Sequence, residues 1–340
     1  MPGSRIDIAL GHIRHHGRHQ RIVDTRGGVF ANNGGSLHGG GFDIAEEWKI
    51  ENRTVFGEFT AGAPARPKGP PGEVIDIDPQ NDFCDLPPAS SSAPPALPVD
   101  GADADMQRLA AFIRVHGSAL TDITITLDSH HRLDIAHPTF WQQADGSAVA
   151  PFTSITAAAV HAGQYLPRQP SALGRTLAYL DALEARGRYT LMVWPVHCEI
   201  GTWGHNVHAD VRAAYNAWED QQGRNATKLT KGSNPWTEHY SAVMAEVPDA
   251  HDETTQLNHP LMAAMDQADI LLIAGEASSH CVRATTEDIL AHRARQKPQR
   301  IVLLTDCMGP VAGFQRQHEA FLHSMQAQGV ELATSTQIRL

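Results

Sequence analysis

Cys281 stands where an apolar run, Ile270 to Ala274, gives way through Gly275 to residues of helical spacing, with Val282, Thr285 and Ile289 on one side. A short apolar run of this kind reads as a buried strand of a parallel sheet. The cysteine then falls at a strand-to-helix junction on the carboxyl edge of the sheet, where ligands bind in open α/β folds. A thiol at a helix N-terminus feels the positive end of the backbone dipole, which favours thiolate. The free N–H groups of the first helical turn can hold a developing oxyanion. That is chemistry for nucleophilic attack on a carbonyl; the same cysteine also reads as a small buried hydrophobe.

Three further polar groups lie at strand ends. Asp78 follows Glu73–Ile77, and is either a general base for a thiol or a loop-capping carboxylate. Asp128 and His130, two apart in an extended segment, point the same way and make half of a divalent metal site, or else a charged surface turn. His197, after the strand expected over Tyr189–Trp194, would close that site. His137 reads as a fourth ligand or as a hydrogen-bond donor behind the ligands, with His131 as the other histidine of the segment. Lys231, in Thr-Lys-Gly-Ser-Asn-Pro, is a solvated loop lysine or the cation that keeps a nearby thiol and carboxylate charged.

The elements that must position these groups follow from the rest of the chain. It has 340 residues, 41% of them hydrophobic, which allows a sizeable core, and a formal net charge of −11, which argues against nucleic acid and anionic membranes as partners. No apolar run approaches a membrane span, and the N-terminal residues contain no signal-like apolar stretch. The cysteines Cys84, Cys198, Cys281 and Cys307 form no CxxC pair, so neither a zinc ribbon nor a disulfide framework is expected, and a cytoplasmic setting is. Residues 1–70 read as a partly loop-like N-terminal extension: a histidine run at His12–His19 that either binds metal or is a solvated, partner-facing tail, a glycine-rich loop at Gly34–Phe42, and a short hairpin over Phe42–Phe59. A Pro/Gly linker at Ala61–Gly72 leads into a main domain, 71–340.

In the main domain, strands are expected at 73–77, 123–127, 189–194, 270–274, 301–305 and 330–334. Helices are expected at 103–116, after a capping Ser171, at 208–220 and at 313–328, with an irregular stretch over 138–168. This alternation implies a three-layer α/β/α fold with a mainly parallel sheet. No GxGxxG, Walker or GxSxG motif occurs.

Five segments taken in order, Ile77-Asp-Pro-Gln-Asn-Asp-Phe-Cys84, Asp128-Ser-His130, Trp194-Pro-Val-His-Cys-Glu-Ile-Gly-Thr202, Lys231-Gly232 with Tyr240-Ser241, and Gly275-Glu-Ala-Ser-Ser-His-Cys281-Val, resemble the nicotinamidase branch of the isochorismatase-like cysteine hydrolases over residues 73–340. The resemblance implies the isochorismatase-like hydrolase fold and a triad of Asp78, Lys231 and Cys281. It implies an oxyanion hole of the Ala277 and Cys281 N–H groups and a cis peptide at Glu276–Ala277. It further implies a divalent metal, zinc with iron or manganese as alternatives, on Asp128, His130 and His197, where the ion anchors a pyridine nitrogen. Phe83 and Trp194 would flank the substrate ring and Tyr240 would line the pocket. The implied reaction converts nicotinamide to nicotinate and ammonia through a cysteinyl thioester; the alternative is the same chemistry on another small amide. The expected partner is thus a small-molecule amide, and a homo-oligomer is open. Two features depart from the pattern: an insertion around 138–186, and Asp-Ser-His-His-Arg-Leu-Asp-Ile-Ala-His in place of Asp-Trp-His-Pro. Other readings, a hydrolase using metal-activated water and a non-catalytic scaffold, remain on the same residues.

Overall fold

The computed structural model describes residues 72–87, 93–294 and 299–340 in full, and the backbone of 14–16, 19–23 and 29–31. The chain divides into two compact units, Met1–Ala63 and Pro64–Leu340. In the first, β1 (Arg14–His16), β2 (His19–Val23) and β3 (Val29–Ala31) pair antiparallel in that order. The side chains of the histidine run, the expected 42–59 hairpin, the 34–42 loop and the linker up to residue 71 lie outside the described residues.

The second unit runs β4 (Gly72–Ile77), α1 (Ala102–His116), β5 (Leu120–Asp128), β6 (Trp141–Gln143), β7 (Thr153–Ile155), α2 (Ala157–His161), β8 (Tyr165–Pro167), α3 (Leu173–Arg186) and β9 (Leu191–Val193). It continues with α4 (Ala209–Gln222), β10 (Thr227–Lys231), α5 (His259–Met265), β11 (Ile270–Gly275), α6 (Cys281–His292), β12 (Arg300–Leu304), α7 (Gln315–Ala327) and β13 (Glu331–Ala333). Six strands form one parallel sheet in the order β10-β5-β4-β11-β12-β13, with helices on both sides, the three-layer arrangement expected.

β4 and β11 lie at the centre and are buried at every residue, as strands covered on both faces must be. Their register sets Gly275 opposite Ile77, so the chain leaves both strands at the same level, towards Asp78 on one side and Cys281 on the other. The approach is too close for a side chain. A Cβ on Gly275, whose φ is 110°, would sit 2.0 Å from the Ile77 carbonyl oxygen, and Glu276 N–H donates to that oxygen at 2.7 Å.

Two corrections concern the strands. Tyr189–Trp194 is not part of the main sheet: β9 pairs antiparallel with β7, Ile155 opposite Leu191 and Thr153 opposite Val193. Leu191 and Val193 instead fill a second core with Ile135, Phe140, Trp141, Ile155, Tyr179 and Leu180, separate from the core around the sheet. The sheet position next to β5 belongs to β10, Thr-Lys-Leu-Thr-Lys, where the sequence predicts no strand. An edge strand carries little apolar sequence, and β10 has one apolar residue in five. The 138–168 stretch is not irregular throughout, since it holds β6, β7, β8 and α2; three-residue strands are too short to show a period. Ser171 does not cap α3: it lies in the 3₁₀ turn Pro170–Ala172, and Ala172 precedes the helix without a side-chain cap. Among the described residues, no helix is long and apolar enough to cross a membrane.

Candidate active site and metal centre

Three strand ends bring the sequence-predicted polar groups together. Asp78 is the first residue beyond β4, Lys231 the last of β10, and Cys281 the first of α6. Lys231 Nζ lies 2.8 Å from Asp78 Oδ2, 3.1 Å from Asp128 Oδ1 and 3.7 Å from Cys281 Sγ, and donates to the His239 carbonyl oxygen at 3.1 Å. All four side chains are buried. Thr126 fixes Asp78 from both ends: its hydroxyl donates to Asp78 Oδ1 at 2.6 Å and accepts from Asp78 N–H at 3.0 Å. Thr126 had not been singled out. Its signal was its position on β5 two residues before Asp128, which puts both side chains on one face.

Burial pushes the Lys231 ammonium towards neutrality, but Asp128, Asp78 and Cys281 outweigh it and raise the amine well above its usual range. It is therefore a fixed cation. Asp78 is raised by burial, relieved by Lys231 and raised again by Asp128. Cys281 is raised well above the ordinary thiol range, first by burial, with Lys231 opposing and Asp78 and Asp128 adding to it. Here the sequence expectation of a favoured thiolate is corrected. A helix N-terminus and one lysine act against complete burial beside two carboxylates, and the balance runs towards the protonated thiol. The Glu276–Ala277 peptide is cis. Among the described residues, neither Ala277 N–H nor Cys281 N–H donates to another residue.

On the other side of Asp128 lie three buried histidines. Ligand nitrogens of His130, His137 and His197 all lie within 4.8 Å of one another. Asp128 Oδ2 is 3.1 Å from His130 Nε2 and 3.3 Å from His197 Nε2, and His137 Nε2 is 3.3 Å from His197 Nδ1. Two of the rings are held from behind. His130 Nδ1 is 3.0 Å from Asp134 Oδ2, and His137 Nδ1 is 3.1 Å from the His131 carbonyl oxygen. Bonds of this kind orient metal-ligating imidazoles. His137 thus joins the cluster, whereas the His131 side chain is exposed and takes no part. Asp134 was quoted in the motif but given no role; its spacing of four from His130 was the available clue.

The donor set of three imidazoles and one carboxylate suits zinc, iron or manganese. Burial raises and His130 and Lys231 lower the Asp128 carboxyl, which stays well below the usual range. His130 is pushed down by burial and more strongly up by Asp128 and Asp134, so a proton there balances the two carboxylates. A divalent ion on the same groups would balance them instead. His137 is driven down to about 2 by burial and by the other two histidines, which keeps its ring neutral with a free lone pair. Gly232 leaves the space: at φ 85° its Cβ would fall 2.9 Å from Asp128 Oδ1 and 3.4 Å from the His130 ring.

The three aromatic residues are buried around these clusters without stacking on one another. Phe83 meets His197 edge-on with centroids 5.5 Å apart. Trp194 donates to Tyr240 Oη at 3.0 Å. Both approach His280, the residue before the nucleophile position, at 5.0 and 5.2 Å. His280 was not assigned a role from sequence, although it stood inside a quoted motif.

No protein-family model matches the chain, and no curated protein does. Among solved structures it is similar to a nicotinamidase/pyrazinamidase of Acinetobacter baumanii, with a TM-score of 0.52 and 19% identity over 79% of this chain and 99% of that one. It is similar also to a yeast nicotinamidase bound to the inhibitor nicotinaldehyde, with a TM-score of 0.54 and 16% identity over 77% of this chain and 99% of that one. A second structure of the yeast nicotinamidase gives 0.53 and 18%, with the same coverage. At these identities the likeness is one of fold, and it is the isochorismatase-like α/β fold that the motifs implied.

Proposed function

We propose that the chain is a cysteine amidohydrolase that converts nicotinamide, or a closely related heteroaromatic carboxamide, to the acid and ammonia. The observation that carries this reading is one buried ammonium, Lys231 Nζ, within 2.8 Å of Asp78, 3.1 Å of Asp128 and 3.7 Å of the Cys281 sulfur. The fold shared with the nicotinamidases supports it.

Burial and the two carboxylates favour the protonated thiol at rest, so nucleophile and base would be activated together. As the amide carbon approaches, Asp78 takes the proton from Sγ and the sulfur bonds to the carbonyl carbon. The oxygen that becomes negative is received by Ala277 and Cys281 N–H, donors with no other partner among the described residues. Asp78 returns its proton to the amide nitrogen, the C–N bond breaks, and ammonia leaves a thioester. Asp78 then takes a proton from water, the hydroxide adds to the thioester carbon, and the thiolate departs and is reprotonated. Amide and water are consumed; acid and ammonia are formed. Lys231 stays charged throughout and keeps a negative charge tolerable on Asp78 and then on sulfur.

Asp128, His130, His137 and His197 would hold a divalent ion. When bound, it supplies a Lewis-acid contact for a ring nitrogen and so anchors the substrate. Phe83, Trp194 and Tyr240 would supply apolar walls for the ring.

The test is ammonia release from nicotinamide by the full chain, with Cys281→Ala and Asp78→Asn beside it. Release that disappears in Cys281→Ala is expected; full release from that variant would remove the nucleophile assignment.

A further inference from the structure

Phe152 is a large apolar side chain left 51% exposed, and its backbone is left-handed, φ 64°. A bulky residue other than glycine is strained there, and a half-exposed ring recovers little burial in return. Folding gives no reason for phenylalanine at this position; its contacts do. Phe152 N–H donates to the Val193 carbonyl oxygen at 2.6 Å, which fixes it beside Trp194. Its ring meets Trp194 edge-on, with centroids 5.8 Å apart at 86°. Trp194 is buried, and its ring also meets Tyr240, Phe314 and His280, the last being the chain neighbour of Cys281. Phe152 is therefore the solvent-facing end of a row of rings, Phe152–Trp194–His280, whose last member immediately precedes Cys281 in the chain. Leu133 and Ile200, also exposed, sit on the segments that carry His130, His137 and His197, and Ile200 N–H donates to the His130 carbonyl oxygen at 3.0 Å.

We propose that Phe152 is a specificity-determining residue: its ring closes the outer edge of the wall formed by Trp194, favouring flat unsubstituted heteroaromatic carboxamides over those with a bulky ring substituent. Phe152 lies on the inserted segment that builds the second core, so the insertion supplies the selectivity. The proposal takes its ligand class from the amidase reading and stands apart from it in its test.

Affinities for nicotinamide and for a phenyl-substituted nicotinamide would be measured calorimetrically on the zinc-loaded full chain carrying Cys281→Ala, with and without Phe152→Gly. Glycine adopts φ 64° without strain, so the unfolding temperature is expected to hold or rise. Loss of the edge-on contact weakens nicotinamide about fivefold. Opening the wall strengthens the substituted amide about tenfold. Phe152→Leu falls between. An unchanged ratio of the two affinities overturns the proposal, as does an equal loss of both, which would make Phe152 only a prop for Trp194. Absence of binding by either amide overturns it too. Ammonia release by the chain with Cys281 intact is read separately; its absence sinks the amidase reading and leaves the affinity ratio to decide on Phe152.

Discussion

The two polar clusters that share Asp128 differ in the source of their positive charge. On one side, Lys231 stands between Asp78, Asp128 and Cys281 as a covalently attached cation. On the other, the imidazoles of His130, His137 and His197 gather beside the same carboxylate, with His130 raised by Asp128 and Asp134 and His137 held down by burial. Burial is complete or nearly so on both sides. A buried anion needs a partner, so the first cluster is complete as folded, whereas the second would be completed by a bound cation. On the proposed amidase reading the clusters would do different work: proton transfer within the first, ligand anchoring in the second.

Removing members of the first cluster should have the largest effect. Cys281→Ala is expected to lower amide turnover by roughly 10⁴ or more, since the proposed thioester needs the Cys281 sulfur. Asp78→Asn should lower it by roughly 10²–10⁴, the usual worth of a positioned general base, without loss of bound metal. Should Asp78→Asn instead lose its metal and keep its rate, the division of work between the clusters is wrong.

The state of the thiol sharpens the same contrast. Because burial and two carboxylates raise Cys281 above the ordinary thiol range, iodoacetamide should react slowly with it near pH 7 and faster only as the pH rises past that range. Rapid alkylation at pH 7, assigned to Cys281 by peptide mass, would mean that Lys231 and the helix N-terminus dominate after all.

Perturbing the second cluster from behind should be milder. Asp134→Asn leaves all four donors in place but weakens the carboxylate that orients His130. Zinc affinity should fall about 10–100-fold and KM should rise, while alkylation of Cys281 at a fixed pH stays unchanged. A change in alkylation would show that the clusters are not separable.

What the sequence discloses about these clusters follows from what local pattern carries. Asp78, Asp128 and Cys281 are legible because each ends or follows a strand whose apolar content announces it, and strand ends of a parallel sheet converge at one edge. Lys231 is legible only through motif resemblance, because β10 is a polar edge strand with a single leucine. The misplacement of β9 has the mirror-image cause: Leu-Met-Val reads as sheet, but its partner β7 is a three-residue strand with no period of its own. Spacing could not choose between His131 and His137, since the turn over Asp134 decides which ring faces inward. The protonation of Cys281 was misjudged because it depends on how many anions tertiary packing collects around one sulfur, which a single strand–helix junction does not contain.

Glu73 supplies the third term of the comparison, a buried carboxyl with no cationic partner among the described residues, and the smallest expected effect on activity. It lies on β4, accepts from Thr124 Oγ1 at 3.0 Å, and is pushed up to about 7, chiefly by burial, with Thr124 opposing and Asp122 adding. Asp128, equally buried but flanked by Lys231 and His130, is held down instead. A carboxyl raised in the folded state stabilises the fold fully below its unfolded value and loses that contribution as pH rises through the folded one. The loss here falls between about 4.5 and 7. It amounts to a penalty of about 3 kcal/mol at most above that window. Glu73→Gln keeps the shape and an acceptor for Thr124 while removing the charge. It should raise the unfolding temperature at pH 8 by on the order of 5 °C, do little at pH 4, and leave amide turnover unchanged. If instead Glu73→Gln is destabilising at pH 8, the carboxylate has a cationic partner, and burial without a cation no longer separates Glu73 from Asp128.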